Sequence, residues 1–86
     1  MEQNKPVRTI RNGGISISIW KNKNENGRVY YSTSPQKRYT KDDGATWEST
    51  NSYSQRESVL LANLLIESAN WIRTNLEVEK QINGAN

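Results

Sequence analysis

Apolar and polar residues alternate along residues 15–20, which have the sequence Ile-Ser-Ile-Ser-Ile-Trp. Alternation with a period of two is typical of a β-strand that buries one of its faces. The three isoleucines, Ile15, Ile17 and Ile19, are therefore expected to point into a core. Trp20 would then lie on the opposite face of the strand, together with the two serines.

Turn signals on either side of this strand predict the rest of a sheet. Residues 6–12 are short and mixed in polarity and are predicted to form an edge strand, followed by a turn at Gly13 and Gly14. Residues 21–27 form a polar loop that ends in Asn-Gly, a strong hairpin signal.

A long strand is expected from Arg28 to Thr40, and Pro35 within it indicates an edge position or a bulge. A second hairpin is predicted at residues 41–44, with Asp-Gly at its centre. A final strand is predicted from Ala45 to Tyr53, with Trp47, Ser49, Asn51 and Tyr53 on one face.

A capping box at residues 54–57 predicts where a long helix begins. Ser54 and Glu57 can each accept a hydrogen bond from the other's backbone N–H. The fold class is thus α+β, an antiparallel sheet of about four strands followed by one C-terminal helix (ββββα). Residues 6–82 form a single domain, residues 1–5 are expected to be disordered, and residues 83–86 are expected to fray.

Two neighbouring apolar stripes run along the predicted helix. One contains Leu61, Leu65, Ala69, Ile72 and Leu76, and the other contains Leu60, Leu64, Trp71, Val78 and Ile82. Together they are wider than the roughly 100° that one small sheet requires. We therefore expect a homodimer paired through Leu61, Leu65, Ile72 and Leu76, although a helix set deep in its own sheet would also explain the width.

The amino-acid composition excludes several classes of chemical site. The 86 residues include no cysteine and no histidine, so disulfides, thiolate metal sites and histidine-based catalysis are excluded. The carboxylates Asp42, Asp43 and Glu48 have a sufficient explanation in an exposed hairpin. We expect no enzyme activity, no metal and no cofactor. No segment is long enough and apolar enough to cross a bilayer, and a cytoplasmic protein (of a host cell if the source is viral) is expected.

Basic residues are concentrated in the strand half. Residues 1–53 carry nine basic and five acidic side chains, whereas residues 54–86 carry three and four. Aromatic residues alternate with these cations, and single-stranded nucleic acid is bound by such mixtures, in which rings stack on bases and cations contact phosphates. The predicted nucleic-acid-binding residues are Arg8, Arg11, Trp20, Lys21, Arg28, Tyr30, Lys37, Arg38, Tyr39 and Lys41.

The aromatic residues are predicted to fall into two groups, those in the core and those on the surface. Trp71, Tyr31 and one of Trp47 or Tyr53 are expected in the core. Trp20, Tyr30 and Tyr39 are the candidates for exposure. Lys37 and Arg38 are adjacent on one strand, and they cannot both face the same way.

The order of these elements resembles the positive cofactor four (transcriptional coactivator) family. The residues that carry the resemblance are 15–20, Lys37-Arg38-Tyr39, Asp42-Asp43-Gly44 and the helix start at Ser54. The resemblance implies a ββββα homodimer with paired helices and a sheet that binds single-stranded DNA with little sequence preference. Residues 47–52 are neutral to acidic, unlike that family, which shifts the expected DNA contacts to Arg8, Arg11, Lys37 and Arg38.

The same chain is also similar to small uncharacterised proteins of bacterial and mobile-element genomes. Binding of single-stranded DNA or RNA is therefore the leading interpretation. A protein-interaction module of a mobile element or virus that docks a host protein is the alternative, and a regulator that binds duplex DNA is a third possibility.

Overall fold

A computed structural model describes residues 5–84, with side chains described as far as Val78. Residues 1–4 of the predicted disordered start and residues 85–86 of the predicted frayed end lie outside the described residues. The side chain of Ile82, from the second predicted stripe, also lies outside them. Four strands and one helix follow in order. They are β1 (Arg8–Asn12), β2 (Ile15–Lys23), β3 (Val29–Tyr39), β4 (Glu48–Thr50) and α1 (Gln55–Gly84). The predicted ββββα order is confirmed.

The strands form one antiparallel sheet in the order β1-β2-β3-β4. The predicted edge strand, β1, is thus confirmed at an edge. Asn12 pairs with Ile15, which leaves Gly13 and Gly14 as a two-residue turn. Gly13 has a φ of 62°, a conformation that glycine adopts without steric cost.

β2 is longer than the alternating pattern alone, and the loop after it is shorter than predicted. The strand continues to Lys23 because its ladder with β3 runs unbroken from Ile15–Lys37 to Lys23–Val29. Asn24 closes the loop: its side-chain oxygen accepts hydrogen bonds from the backbone N–H groups of Asn26 and Arg28, both at 2.9 Å.

β4 is the largest departure from the sequence prediction, since only Glu48–Thr50 of residues 45–53 form a strand. Its ladder with β3 begins at Tyr39–Glu48 and ends at Lys37–Thr50. Pro35 lies two residues before Lys37 in β3 and has no N–H with which to extend the ladder. Pro35 therefore lies where β3 has no partner on that side, the edge position that the sequence predicted, and the ladder with β2 contains no bulge.

The core lies between one face of the sheet and α1. It contains Ile10, Ile15, Ile17, Ile19 and Leu64, all of them buried. The inward orientation predicted for the three β2 isoleucines is confirmed. Partly buried side chains from both predicted helix stripes surround this cluster, together with two tyrosines: Leu60, Leu61, Leu65, Trp71, Ile72, Tyr31 and Tyr53.

Helix α1 begins with the predicted capping box. The Ser54 backbone N–H donates to Glu57 Oε1 at 2.9 Å, and the Glu57 N–H donates to Ser54 Oγ at 3.2 Å. Ser68 is fully buried against the sheet, and its hydroxyl donates to the Leu64 carbonyl at 2.8 Å. The thirty-residue helix is about 45 Å long, longer than the sheet it covers, so Leu76 and Val78 near its end are exposed.

Candidate nucleic-acid interface

The sheet has one face covered by α1 and one face that no described element covers. Residues paired across an antiparallel ladder point their side chains to the same side. The buried and outward side chains of β2 therefore tell, ladder by ladder, which face of the sheet each strand residue lies on. We call the uncovered surface the open face. Its side chains, from β1 to β4, are Thr9, Arg11, Ser16, Ser18, Trp20, Asn22, Tyr30, Ser32, Ser34, Gln36, Arg38 and Ser49.

The middle of the open face is a floor of small hydroxyl side chains. Ser18 pairs with Ser34, and Ser16 pairs with Gln36. At the borders, Asn22 Nδ2 donates to Ser32 Oγ at 3.1 Å and Gln36 Nε2 donates to Ser49 Oγ at 3.2 Å. This floor is polar and made of small side chains, and it leaves room for a planar ligand beside the larger side chains.

Two aromatic rings stand at one end of the floor. Trp20 pairs with Ser32 and Tyr30 pairs with Asn22, so the two rings are diagonal neighbours on adjacent strands, within reach of one another. Tyr30 is 49% exposed, as predicted, whereas Trp20, which was also predicted to be exposed, is half-buried. Both rings project from the face opposite the core, which is the orientation that the alternation predicts for Trp20.

Two arginines and a third ring stand at the other end. Arg11 and Arg38 project from β1 and β3, and the Arg38 guanidinium carbon lies 5.8 Å from the centroid of the Trp47 ring. Trp47 is 51% exposed. Together with the β1–β2 turn these groups line an open cleft of about 510 Å³. Arg38 and Trp20 are separated by six residue steps along the ladder, about 20 Å.

Four of the ten predicted binding residues therefore share the open face: Arg11, Trp20, Tyr30 and Arg38. Four others project from the helix side of their strands: Arg8, Lys21, Lys37 and Tyr39. Arg28 lies in the loop before β3. Lys41 lies beyond β3, with its ammonium 5.8 Å from the Tyr39 ring. The pleat thus separates Lys37 from Arg38, as the sequence required.

Lys37 joins the sheet to the start of α1. Its ammonium donates to Glu57 Oε1 at 2.6 Å and lies 5.9 Å from the centre of the Tyr53 ring. The hydrogen bond from Lys37, followed by that from the Ser54 backbone, lowers the pKa of Glu57 to about 2. Arg8 similarly lies 5.9 Å over the ring of Trp71, which meets Tyr31 edge-on at 6.1 Å. These two cations have structural partners.

The loop between β3 and β4 is held by Asp42. Its carboxylate accepts hydrogen bonds from the Thr46 N–H at 2.8 Å, from the Thr46 hydroxyl, and from the Thr40 hydroxyl at 2.9 Å. These bonds, the one from the Thr46 hydroxyl first, lower the pKa of Asp42. The result is a wider loop than the predicted hairpin, with positive φ at Asp43 and Gly44, and it carries Trp47 to the edge of the open face.

Tyr39 anchors the other side of the same loop. Its hydroxyl donates to Glu48 Oε1 at 2.7 Å, and this hydrogen bond raises the pKa of Tyr39. The ring is half-buried rather than presented to solvent. Trp47 is the functional candidate that the sequence reasoning left undecided, as either core or surface. The alternation that pairs Ser49 with Arg38 places Trp47 next to Arg38 and was the available signal.

The rings expected in the core are confirmed there: Trp71, Tyr31 and Tyr53 pack against the buried cluster. Tyr53 does not share a face with Ser49, because β4 ends at Thr50. Of the four residues predicted to pair two helices, Leu61, Leu65 and Ile72 pack against the protein's own core, and Leu76 is exposed.

Among the side chains of residues 5–78, no group of three or more acidic residues is placed to hold a metal ion. No helix within residues 5–84 is both long enough and apolar enough to cross a membrane. No protein-family model, curated protein or solved structure matches this chain. The resemblance to the positive cofactor four family thus stays a prediction, and the function must be inferred from the open face itself.

Proposed function

We propose that this protein binds single-stranded nucleic acid on the open face of its sheet, with little sequence preference and without catalysing a reaction. The observation that supports the proposal most strongly is the segregation of side chains on that face. The exposed ring of Tyr30 and the half-buried ring of Trp20 stand at one end, two arginines and the Trp47 ring stand at the other, and small hydroxyls lie between them. The proposed setting is the cytoplasm.

Rings lie at both ends of this arrangement, whereas the two arginines lie at one end only. Bases stack on rings regardless of sequence, because every base has a π-face, and each stack contributes about 1–3 kcal/mol. Arg11 and Arg38 have no carboxylate partner among the described residues, so their charge is available to phosphates. Trp20 and Arg38 lie about 20 Å apart, which at 3.4 Å for each stacked nucleotide is about six nucleotides.

The small side chains of the floor favour single strands over duplex DNA. A duplex is read by an element that enters a groove, whereas the described open face offers no protruding helix or ribbon. A single strand can instead lay its unpaired bases on a sheet. We therefore expect the third possibility, a duplex-DNA regulator, to be the weaker one.

Fluorescence anisotropy with labelled 12-nucleotide DNA and RNA single strands, and with the matching duplex, tests the proposal. Tighter binding of a single strand than of the duplex, weakening as salt is added, is the expected result. Equal affinity for strand and duplex, or no salt-sensitive binding, would contradict it.

We further propose that two copies pair through α1. Six exposed positions follow one another at alternating spacings of three and four residues, the spacing of a helix-pairing seam: Val59, Ala62, Ile66, Ala69, Arg73 and Leu76. Val59 and Ile66 are 57% and 60% exposed. Antiparallel pairing would set Val59 against the partner's Leu76, an apolar contact, and Ile66 against the partner's Ala69, where a large side chain meets a small one.

Sedimentation equilibrium of the wild type, Ile66→Glu and the control Thr74→Glu tests this pairing, since Thr74 is exposed on another side of α1. A dimer that Ile66→Glu alone converts to monomers is expected. A monomeric wild type would contradict pairing. A monomeric wild type that also binds no nucleic acid would favour the alternative function, a module that docks another protein on this stripe.

A further inference from the structure

The cleft at the arginine end differs from the rest of the open face in its shape. The floor is a surface of small polar side chains, whereas the cleft is an open hollow with a volume of about 510 Å³. That volume lies within the range of about 300–1,000 Å³ typical of sites for small ligands. The cleft is bounded by the β1–β2 turn on one side and by Trp47 on the other.

The groups in the cleft are a cation pair and a flat ring. Arg38 lies 5.8 Å from the centre of the Trp47 ring, and about half of Trp47 remains exposed (51%). Arg11 lines the same cleft. Neither arginine has a carboxylate partner among the side chains of residues 5–78. A ligand that suits these groups has a planar ring and an anion close to it.

The backbone around the cleft is fixed before any ligand arrives. The Arg38 N–H donates to the Gly14 carbonyl at 2.9 Å, so the β1–β2 turn rests directly on β3. A Cβ atom at position 14 would lie 2.5 Å from the Arg38 carbonyl oxygen, so only glycine permits this approach. Gly14 therefore sets the distance between the turn and Arg38, and a rigid site loses less free energy on binding.

We propose that this cleft is a subsite for one nucleotide, with its base stacked on Trp47 and its phosphate held between Arg11 and Arg38. Guanidinium groups bind phosphate oxygens in pairs of parallel hydrogen bonds, and an aromatic ring accepts any base. The inference rests on the proposed function, because it assigns one nucleotide of the bound strand to a defined place. It goes further in that a free mononucleotide should enter the same cleft.

The test is an NMR titration of the ¹⁵N-labelled protein with thymidine monophosphate, and separately with thymidine and with inorganic phosphate. The three tryptophans give three indole N–H signals, which Trp→Phe variants assign. Thymidine monophosphate should shift the Trp47 indole and the amides of Gly13 and Gly14, and leave the Trp71 indole in place. Thymidine and phosphate should each produce smaller shifts at matched concentration.

Variants sharpen the assignment. Trp47→Ala should weaken mononucleotide binding about 5- to 150-fold, the equivalent of one base–aromatic stack, and Arg11→Ala should also weaken it. Arg56→Ala removes the same charge from an exposed position on α1 and should have no effect. Shifts with phosphate equal to those with thymidine monophosphate, or shifts that leave Trp47 unmoved, would overturn the nucleotide subsite.

The two proposals fail separately. If an oligonucleotide shifts the Trp20 indole but the mononucleotide does not shift Trp47, the subsite is wrong and the nucleic-acid interface stands. If the mononucleotide shifts Trp47 but no oligonucleotide binds, the subsite stands as a site for free nucleotides and the proposed function is wrong.

Discussion

Side chains that alternate along β2 meet two different environments. Ile15, Ile17 and Ile19 point toward α1 and are at most 2% exposed. Ser16, Ser18 and Trp20 point away from it and remain half-exposed. The helix-covered face thus contributes most of the apolar burial that stabilises the fold. The open face contributes little to it, and this leaves its side chains free for binding. Substitutions on the two faces should accordingly change different properties.

The largest expected effect is on the covered face. Ile17 is fully buried, and Ile17→Ala should lower the free energy of unfolding by about 2–5 kcal/mol, through lost transfer free energy and a cavity. The neighbouring Ser18→Ala should change it by less than about 0.5 kcal/mol. Urea denaturation of both variants checks this. Equal destabilisation would mean that the two faces do not differ as described.

Trp20 and Trp71 provide the next comparison. Trp20→Ala should weaken single-strand binding by about 1–3 kcal/mol, one stacking interaction, with little loss of stability. Trp71 packs against the core, so Trp71→Ala should lower stability without changing affinity per folded molecule. Anisotropy titrations combined with thermal melts measure both quantities. If Trp20→Ala unfolds the protein and leaves the residual affinity unchanged, its ring belongs to the core.

Lys37 and Arg38 are adjacent cations on opposite faces of the sheet, and replacing each one should change a different property. Arg38→Ala should reduce the slope of log K against log salt by about 0.7, the contribution of one phosphate contact to a single strand. Lys37→Ala should leave that slope unchanged and lower stability instead, because the Lys37 ammonium is bound to Glu57. Binding isotherms at four or five salt concentrations distinguish the two. Equal slopes for both variants would remove the distinction between the faces.

The ion pair on the covered face also predicts a pH dependence. Folding lowers the pKa of Glu57 from its ordinary 4.5 to about 2. Its contribution to stability is therefore fully present above about pH 4.5 and is lost as the pH falls toward 2. Glu57→Gln should be less stable than the wild type at pH 7, and the difference should vanish near pH 2. A difference independent of pH would show that the carboxylate does not titrate with folding.

The smallest expected effects concern the loop acids. Asp43 has a φ of 57°, a conformation that asparagine also tolerates, so Asp43→Asn should leave stability and binding nearly unchanged. Asp42→Asn should loosen the loop that carries Trp47, because an amide accepts fewer hydrogen bonds than the carboxylate that Thr40 and Thr46 share. If Asp43→Asn weakens single-strand binding more than Asp42→Asn does, by an amount that does not depend on salt, this account of the loop is wrong.

The elements that local signals determine could be predicted from the sequence. The alternating isoleucines, the two-glycine turn and the capping box at Ser54 each depend on neighbouring residues, and each is found where it was predicted. β4 could not be predicted because its end is determined by its partner strand. The ladder ends at the Lys37–Thr50 pair, and Pro35, two residues before Lys37, has no N–H with which to extend it. This depends on a register that only the folded sheet defines.

The candidate site was predicted in composition but not in arrangement. The alternation of side chains along a strand already places Lys37 and Arg38 on opposite faces of the sheet. It does not show which of these two residues shares its face with α1. Arg8 and Lys37 were equally good candidates in the sequence, and both have partners on the covered side. Trp47 reaches the open face through a loop that Asp42 shapes by hydrogen bonds across four residues.

The indole signals of the three tryptophans test the open face most directly. Trp20 and Trp47 lie on or beside the open face, whereas Trp71 is a residue of α1 that packs against the core on the opposite side of the sheet. Titration of the labelled protein with a 12-nucleotide single strand should shift the signals of Trp20 and Trp47 and leave that of Trp71 in place, with the shifts reversed by added salt. A shift of Trp71 alone, or binding that moves neither Trp20 nor Trp47, would contradict the proposal that the open face is the nucleic-acid interface.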